Sequence, residues 1–300
     1  MEGGAVSDDT NLKLLARIGN GGMSSVWKAW DPVNRRLVAV KVLNREFSGN
    51  ENDIVQFREE EKMMEEIRHP GIVQAYSLAK CDGYWYFVME YVDGYSFAEL
   101  LQRKQHISES DCLLICEAVS AALGYAWNSH GVVHCDIKPE NIMINTAGEI
   151  KLTDLGISHR FEFREGPQEV PEHILGTPAY ISPEQVYGDI ELDCRADIYS
   201  LGATIYHLCT GRVLFPMLDN DGMMRAQCSD SFQARDPRTY RPHLSEGFCQ
   251  LLESMLVKDR DYRVASWDDV CAMCQMVEQG VKFKPREDAA TRFSSLRLLG

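Results

Sequence analysis

One change in the spacing of apolar residues divides this chain of 300 residues into two parts. Before residue 92, apolar residues come in short runs between turn signals such as Cys81-Asp82-Gly83, a pattern typical of strands joined by hairpins. After Gly94 they recur at helical spacing, and Ser108 stands ahead of one long run as a capping residue. The sequence therefore predicts an α+β protein, with a small β-rich part followed by a larger helical part.

The composition excludes several classes of protein. Hydrophobic residues make up 45% of the chain and charged residues 25%, which is ordinary for a globular protein, and the net charge of −14 argues against a nucleic-acid polymer as partner. No run of about 20 apolar residues is present, so no membrane contact is expected within this chain. The first ten residues do not resemble a secretory signal, and ten irregularly spaced cysteines suit a reducing cytosol. We expect a cytoplasmic protein, or the cytoplasmic domain of a longer, membrane-anchored one.

A lysine interrupts an apolar strand pattern at Val38-Ala39-Val40-Lys41. A buried ammonium group needs a partner, and the predicted helix over residues 53–68 offers five glutamates. A helical wheel places Glu60 nearest the centre of the apolar stripe, so Glu60 is the predicted partner of Lys41. The other four are expected to face solvent: Glu59, Glu61, Glu65 and Glu66.

Polar residues cluster in the segment 134–141, which follows the long predicted helix. Asp136, Lys138 and Asn141 lie within six residues of one another, and Asp154 follows a short strand-like run 13 residues after Asn141. Two carboxylates and one amide suit a hard cation that also binds phosphate groups. These segments are therefore candidates for a phosphate-handling site.

In order and spacing, these motifs resemble the protein-kinase signature of a glycine-rich loop, a strand lysine, an HxDxKxxN loop and a DxG motif. The segment Gly176-Thr177-Pro178-Ala179-Tyr180-Ile181-Ser182-Pro183-Glu184 resembles the end of a kinase activation segment. Arg263 stands where the family has an arginine that pairs with this glutamate. The resemblance covers residues 12–278, and the motifs look most like those of bacterial, Hanks-type serine/threonine protein kinases.

The resemblance implies a two-lobed protein-kinase fold. Residues 12–91 would form a small β-rich N-lobe with one key helix, and residues 92–278 would form a larger helical C-lobe. Residues 1–11 would be an N-terminal tail, and residues 279–300 a basic C-terminal tail or linker.

The implied activity is transfer of the ATP γ-phosphate to serine or threonine hydroxyls of protein substrates. The resemblance places Mg²⁺, with Mn²⁺ as the alternative, on Asn141 and Asp154. It places the glycine-rich loop over the ATP phosphates and the hinge backbone against the adenine. The implied nucleotide-binding residues are Gly19, Asn20, Gly21, Gly22, Met23, Ser24, Val26, Ala39, Lys41, Met89, Glu90, Val92, Met143 and Asp154.

Four residues take catalytic roles by the same resemblance. Asp136 would orient the substrate hydroxyl and accept its proton, and Lys138 would lie near the γ-phosphate. Lys41 would contact the α- and β-phosphates and would be held in place by Glu60. A lysine two positions after the catalytic aspartate, here Lys138, is typical of serine/threonine kinases.

The sequence departs from the family pattern beside the catalytic aspartate. Cys135 stands where many kinases have an arginine that binds a phosphate on the activation loop. Between Ser158 and Thr177 the sequence contains no Ser, Thr or Tyr. We therefore predict a kinase that is not switched by phosphorylation of this loop, with Arg160 or Arg164 pairing with a nearby glutamate to hold it.

Two alternative functions fit some of the same motifs. A pseudokinase scaffold would bind nucleotide or partners without transfer, although the five polar residues needed for transfer are all present: Lys41, Glu60, Asp136, Asn141 and Asp154. A small-molecule kinase would share the HxDxxxxN loop but would lack the platform at residues 176–184. The sequence also leaves open whether the protein forms a homodimer.

Overall fold

A five-stranded antiparallel sheet forms most of the chain before residue 92. The computed structural model describes residues 12–21, 24–47, 50–154, 159–160, 176–189 and 191–281. The strands are β1 (Lys13–Asn20), β2 (Ser24–Asp31), β3 (Arg36–Leu43), β4 (Ala75–Cys81) and β5 (Tyr84–Glu90). Their order in the sheet is β1-β2-β3-β5-β4. Since β3 is central, Val38 and Val40 are fully buried in this lobe.

One helix, α1 (Glu51–Glu66), packs against this sheet. Phe57 of α1 and Phe87 of β5 belong to one buried cluster, and their ring centroids are 5.1 Å apart. Glu60 lies on the buried side and is 7% exposed. The prediction that Glu61 faces solvent is wrong, because Glu61 is 6% exposed. Its position is only about 70° from the centre of the apolar stripe, which places it at the edge of the buried face.

Helices form most of the chain after residue 96. They are α2 (Phe97–Lys104), α3 (Glu109–His130), α4 (Pro183–Tyr187), α5 (Cys194–Thr210), α6 (Asn220–Cys228), α7 (Glu246–Met255) and α8 (Trp267–Glu278). Ser108 caps α3 by accepting a hydrogen bond from Asp111 N at 3.1 Å. Gly131 ends the same helix with a φ of 62°, a left-handed conformation that glycine adopts readily. Nearly every residue of α5 is buried, so this helix forms the centre of the lobe.

Short strands carry the polar segments that lie between the lobes. They are β6 (Gly94–Ser96), β7 (Val132–Val133), β8 (Ile142–Asn145), β9 (Ile150–Leu152) and β10 (His159–Arg160). The order β6-β8-β9 forms a small sheet, and β7 pairs with β10. Leu152 connects the lobes, because its N–H donates to Gly71 O at 2.8 Å and its carbonyl accepts from Val73 N at 2.9 Å.

This arrangement confirms the predicted α+β architecture with a small β-rich lobe and a larger helical lobe. The apolar pattern of residues 72–79 predicts a strand that starts at Ile72, and the structure differs from this prediction. Ile72 and Val73 pair with Leu152 of the other lobe instead, and β4 begins at Ala75. Within the described ranges, no helix is long and apolar enough to cross a membrane.

Candidate active site

Lys41 lies on β3 and reaches toward α1. It stands opposite Val26 of β2 and Phe87 of β5, and it is 8% exposed. Its Nζ is 2.5 Å from Glu60 Oε1 and 2.6 Å from Asp154 Oδ1. The structure thus pairs Lys41 with the glutamate that the helical wheel selects, and with one further carboxylate from the C-lobe.

These three charged groups shift one another's pKa values. Burial by itself lowers the pKa of Lys41. The carboxylates of Asp154 and Glu60 have the larger combined effect, so the pKa of Lys41 is raised. The Lys41 ammonium in turn lowers the pKa of Asp154. Burial raises the pKa of Glu60 against the same attraction. Lys41 and Asp154 are therefore both charged at neutral pH, so a phosphate group at this place would meet a fixed ammonium.

Asp136 lies between β7 and β8, and both of its carboxylate oxygens are engaged. Thr177 Oγ1 donates to Oδ1 at 2.6 Å, and Lys138 Nζ lies 2.5 Å from Oδ2. Lys138 Nζ also donates to Thr177 Oγ1 at 3.0 Å. The structure therefore joins two implied catalytic residues, Asp136 and Lys138, to Thr177 of the segment 176–184. A hydroxyl placed against Asp136 would have a carboxylate and an ammonium within reach.

Two side chains beside this loop fit a divalent cation. Asn141 is buried, and its amide nitrogen donates to Asp136 O at 2.9 Å, which turns the amide oxygen away from that contact. The Asp154 carboxylate keeps its charge because Lys41 lowers its pKa. Both groups are the hard oxygen ligands that Mg²⁺ prefers. Among the described residues, no cluster of three or more His, Cys, Asp or Glu residues could hold a metal ion by itself.

A buried carboxylate to which the sequence analysis gives no role holds the loop backbone. Asp197 on α5 accepts hydrogen bonds from His134 N at 2.6 Å and Cys135 N at 2.9 Å. Cys135 has a φ of 67°, a left-handed conformation that costs free energy for a residue with a side chain. Gln185 Nε2 donates to the Cys135 carbonyl at 2.8 Å and helps to hold it. The sequence does carry a signal for Asp197, because it is a charged residue within an apolar helical run.

The glycine-rich loop is a β-hairpin between β1 and β2. Gly19 pairs with Val26, and Gly21 N donates to Ser24 O at 2.8 Å, which closes the turn. Residues 22–23, which the resemblance also assigns to the nucleotide, lie outside the described residues. The hairpin geometry explains why this loop leads into a strand and not into a helix.

Apolar members of the implied nucleotide-binding set lie where the lobes join. Met89 stands opposite Ala39 in the sheet, and Met89 and Met143 pack against one buried cluster. Lys151 Nζ lies 2.6 Å from Glu90 Oε1, so this ion pair joins β9 to the last residue of β5. This last contact was not anticipated, because the two residues are far apart in the sequence.

A buried ion pair anchors the end of the segment 176–184. Arg263 is 0% exposed, and its guanidinium donates to the two carboxylate oxygens of Glu184 at 2.6 and 3.0 Å. The pairing that the resemblance implies is thus present in the structure. The remaining donors of this guanidinium bond to the backbone carbonyls of Val257, Arg195 and Lys258.

The side chain of Cys135 points into an apolar cluster. It is 1% exposed and packs with Val133 and Ala196. No guanidinium occupies this position to receive a phosphate. The side chains of Arg160 and Arg164, on which the predicted charge pairs of the loop depend, lie outside the described residues.

The two-lobed fold, the Lys41–Glu60 pair and the Asp136 loop together define a class of protein. Residues 12–277 match the family of the protein kinase domain. The chain therefore belongs to the protein kinase domain family.

Curated relatives of this chain are bacterial serine/threonine kinases. The chain is 31% identical over 261 residues to serine/threonine-protein kinase PrkC of Bacillus subtilis, which covers 86% of this chain and 39% of that protein. It is 30% identical over 247 residues to the probable serine/threonine-protein kinase PknB of Lactococcus lactis, covering 82% and 38%. It is 38% identical over 207 residues to the serine/threonine-protein kinase PknA of Corynebacterium glutamicum, covering 67% and 43%. The resemblance to bacterial kinases is confirmed, and the chain spans less than half the length of these relatives.

His207 on α5 gives the C-lobe a pH dependence. Its Nδ1 lies 2.8 Å from the Tyr180 hydroxyl, and burial lowers its pKa from 6.5 to about 4. Because the unfolded chain binds more protons here, stability that is present above pH 6.5 is lost as the pH falls through about 4, by up to about 3 kcal/mol. We expect His207→Gln to flatten the fall in unfolding free energy between pH 6.5 and 4, measured by urea titration. Equal slopes for the two proteins would contradict this.

Proposed function

We propose that this domain transfers the γ-phosphate of ATP to serine or threonine hydroxyls of protein substrates. The observation that carries the proposal is the convergence of Asp136, Lys138 and Thr177, which join the catalytic loop to the segment 176–184. Membership of the protein kinase domain family and the printed names of the relatives support it. Lys138, at the second position after Asp136, favours aliphatic hydroxyls over tyrosine as acceptors.

In the proposed reaction, the substrate hydroxyl oxygen forms a bond to the γ-phosphorus of ATP. The bond between that phosphorus and the β,γ-bridging oxygen breaks, and ADP leaves. Asp136 orients the hydroxyl and accepts its proton. Lys138 places a positive charge beside the transferring group, and Lys41 binds the α- and β-phosphates. Because this chemistry depends on positioning and charge neutralisation, the fixed hydrogen bonds of the loop are the contribution of the protein.

Asn141 and Asp154 are the proposed ligands of a divalent cation, with Mg²⁺ as the first choice and Mn²⁺ as the alternative. The cation would neutralise charge on the phosphates of the bound nucleotide. Asn141 holds its place through its bond to Asp136 O, and Asp154 through its bond to Lys41. Each proposed metal ligand is thus hydrogen-bonded to a residue with a proposed catalytic role, Asn141 to Asp136 and Asp154 to Lys41.

We propose further that phosphorylation of the activation segment does not switch this kinase. The buried side chain of Cys135 carries no positive charge to bind a phosphate, and the sequence between Ser158 and Thr177 contains no hydroxyl-bearing residue. Phosphopeptide mapping of active protein is expected to find no stoichiometric phosphate in the activation segment, residues 154–184, whose hydroxyl-bearing residues are Ser158, Thr177, Tyr180 and Ser182. A phosphate in this segment that raises kcat would overturn the proposal.

The proposed function is tested by transfer of radiolabelled γ-phosphate to a mixture of generic proteins in the presence of Mg²⁺. We expect labelled phosphoserine or phosphothreonine from the wild-type protein and the loss of most label with Lys41→Met. Lys62→Met, an exposed lysine of α1, is the matched control and should keep wild-type transfer. A wild-type protein that shows a thermal shift with ATP but transfers no phosphate would favour the pseudokinase alternative.

A further inference from the structure

One buried side chain of α6 contacts the backbone in the middle of the segment 176–184. Gln227 lies near the C-terminal end of α6 and is 0% exposed. Its Nε2 donates to Pro178 O and to Ala179 O, each at 3.3 Å. Within the described ranges, no other side chain donates to these two carbonyls. Gln227 therefore connects α6 to the segment that follows Thr177.

The hydrogen bonds of Gln227 fix the orientation of its amide. The carbonyls of Pro178 and Ala179 can only accept, so the amide nitrogen must face them. The amide oxygen accepts a hydrogen bond from the Tyr199 hydroxyl at 2.5 Å. Tyr199 lies on α5, is 1% exposed and keeps its proton at neutral pH, because burial raises the pKa of its hydroxyl. Both ends of the amide are thus engaged, and Tyr199 aims its nitrogen at the segment.

The C-terminal end of α6 is itself held from another part of the lobe. Lys258 Nζ donates to Ala226 O at 2.7 Å, next to Gln227 in the chain. The same ammonium group donates to the backbone carbonyls of Ser229 and Phe232. Gln227 is therefore fixed through residues that do not belong to the segment 176–184.

The backbone that Gln227 holds forms a turn. The N–H groups of Tyr180 and Ile181 both donate to Thr177 O, at 2.9 and 3.0 Å. Pro178 and Ala179 are the two middle residues of this turn, and its internal bonds leave their carbonyls without a partner. Carbonyls in such positions need a donor from elsewhere, and Gln227 supplies it. Without this side chain, the turn would keep only its bonds to Thr177 O.

This turn lies beside the proposed acceptor site. Thr177 Oγ1 donates to Asp136 at 2.6 Å and accepts from Lys138 Nζ at 3.0 Å. Pro178 follows Thr177 directly, so their Cα atoms are about 3.8 Å apart. Residues 176–179 are half-buried, so one side of the turn is open to a peptide while Gln227 holds the other. A change at the carbonyls of residues 178 and 179 is therefore expected to move the surface that a protein substrate meets.

We propose that Gln227 is a positioning residue that holds the segment 176–184 in the form that binds the protein substrate. The inference rests on the proposed function, since it concerns the acceptor of that reaction. Gln227 acts through Pro178 and Ala179 and touches no reacting atom. Tyr199 acts one step further back, because it orients the amide of Gln227.

The first test measures steady-state kinetics with the threonine-containing peptide that the wild-type protein phosphorylates best in an array. Q227M keeps the length of the side chain and removes both donors. We expect it to raise KM for the peptide about 5- to 30-fold, the range for the loss of one or two neutral hydrogen bonds. The kcat should stay within about threefold of wild type and KM for ATP should not change, because the groups assigned to the reacting centre are intact.

A double variant tests the assigned order of Tyr199 and Gln227. Y199F should raise KM for the peptide less than Q227M does, because the amide can still donate. Y199F combined with Q227M should raise KM no further than Q227M alone, since Tyr199 acts through an amide that is then missing. Y199F also provides the kinetic test if Q227M does not fold.

Two control variants separate positioning from general effects. Q275M removes an exposed glutamine of α8 whose Nε2 donates to Glu117 at 3.1 Å, and it should keep the wild-type KM. V270A removes two methyl groups from a core position of α8 that is 0% exposed. It should destabilise the domain and still keep the wild-type KM for the peptide.

The second test needs no turnover and measures hydrogen exchange of the backbone amides. In Q227M we expect faster exchange of the Tyr180 and Ile181 amides, which close the turn, with wild-type exchange in β3 and α1. In V270A, exchange at the turn should match wild type. This measurement reports the positioning directly, even if the protein transfers no phosphate.

The outcomes are distinguishable. A raised KM for the peptide together with faster exchange at the turn supports the inference. Unchanged KM and exchange in Q227M, or a fall in kcat with KM unchanged, overturns it. An equal rise in KM for V270A also overturns it, because loss of stability then explains the effect. A wild-type protein that transfers no phosphate overturns the proposed function, and the exchange at the turn then decides whether Gln227 positions the segment.

Discussion

We expect Asp136→Asn to lower kcat for phosphoryl transfer by about 100- to 10,000-fold, the usual contribution of a positioned general base. Asparagine keeps the size of the side chain and an oxygen that can accept the Thr177 hydroxyl, which now donates at 2.6 Å. It has no charge to orient the substrate hydroxyl against Lys138, and it takes up no proton. Nucleotide binding should survive, because Lys41 and Asp154 are untouched. The measurements are kcat, KM for ATP and the thermal shift with ATP.

Asp268→Asn is the matched control for this variant. Asp268 is an exposed carboxylate in the first turn of α8, and its loss should leave kcat at the wild-type value. A kcat for Asp136→Asn within about threefold of wild type would contradict the assigned role. A raised KM for ATP with kcat unchanged would assign Asp136 to nucleotide binding instead.

We expect Arg263→Met to destabilise the domain by about 3–5 kcal/mol, the range found when one partner of a buried ion pair is removed. Arg263 is 0% exposed, so its loss leaves the Glu184 carboxylate buried without its partner. It also removes donors to three backbone carbonyls, at 2.7, 2.6 and 2.9 Å. The measurement is the free energy of unfolding from urea titration. Arg263→Lys keeps a positive charge near Glu184. Its free energy of unfolding can be measured instead if the methionine variant does not fold.

A double variant separates the ion pair from simple loss of packing. Adding Glu184→Gln to Arg263→Met removes the stranded charge, so the double variant should be more stable than Arg263→Met alone. Arg238→Met is the matched control, because Arg238 and Asp236 form a more exposed pair, and the expected cost is at most about 1 kcal/mol. Equal destabilisation by Arg263→Met and Arg238→Met would show that the buried pair does not anchor the segment 176–184.

Local pattern predicts much of the fold and part of the site. Helical spacing predicts that Glu60 faces the lobe interior, and the structure places it 2.5 Å from Lys41. Ser108 and Gly131 mark the ends of α3 because capping and left-handed turns depend on the residue itself. Glu61 shows the limit of this reasoning. The wheel gives the direction of a side chain, but the width of the covered face depends on the sheet that packs against it.

The sequence alone determined the order of the elements, the family resemblance and the identity of the polar groups, because these follow from residue type and spacing along one segment. Only the tertiary structure showed that Asp197 holds the backbone of Cys135 and that Lys151 reaches Glu90. Such contacts join residues that are distant in the chain. Their partners are therefore decided by how helices and strands pack, and no local period encodes that packing.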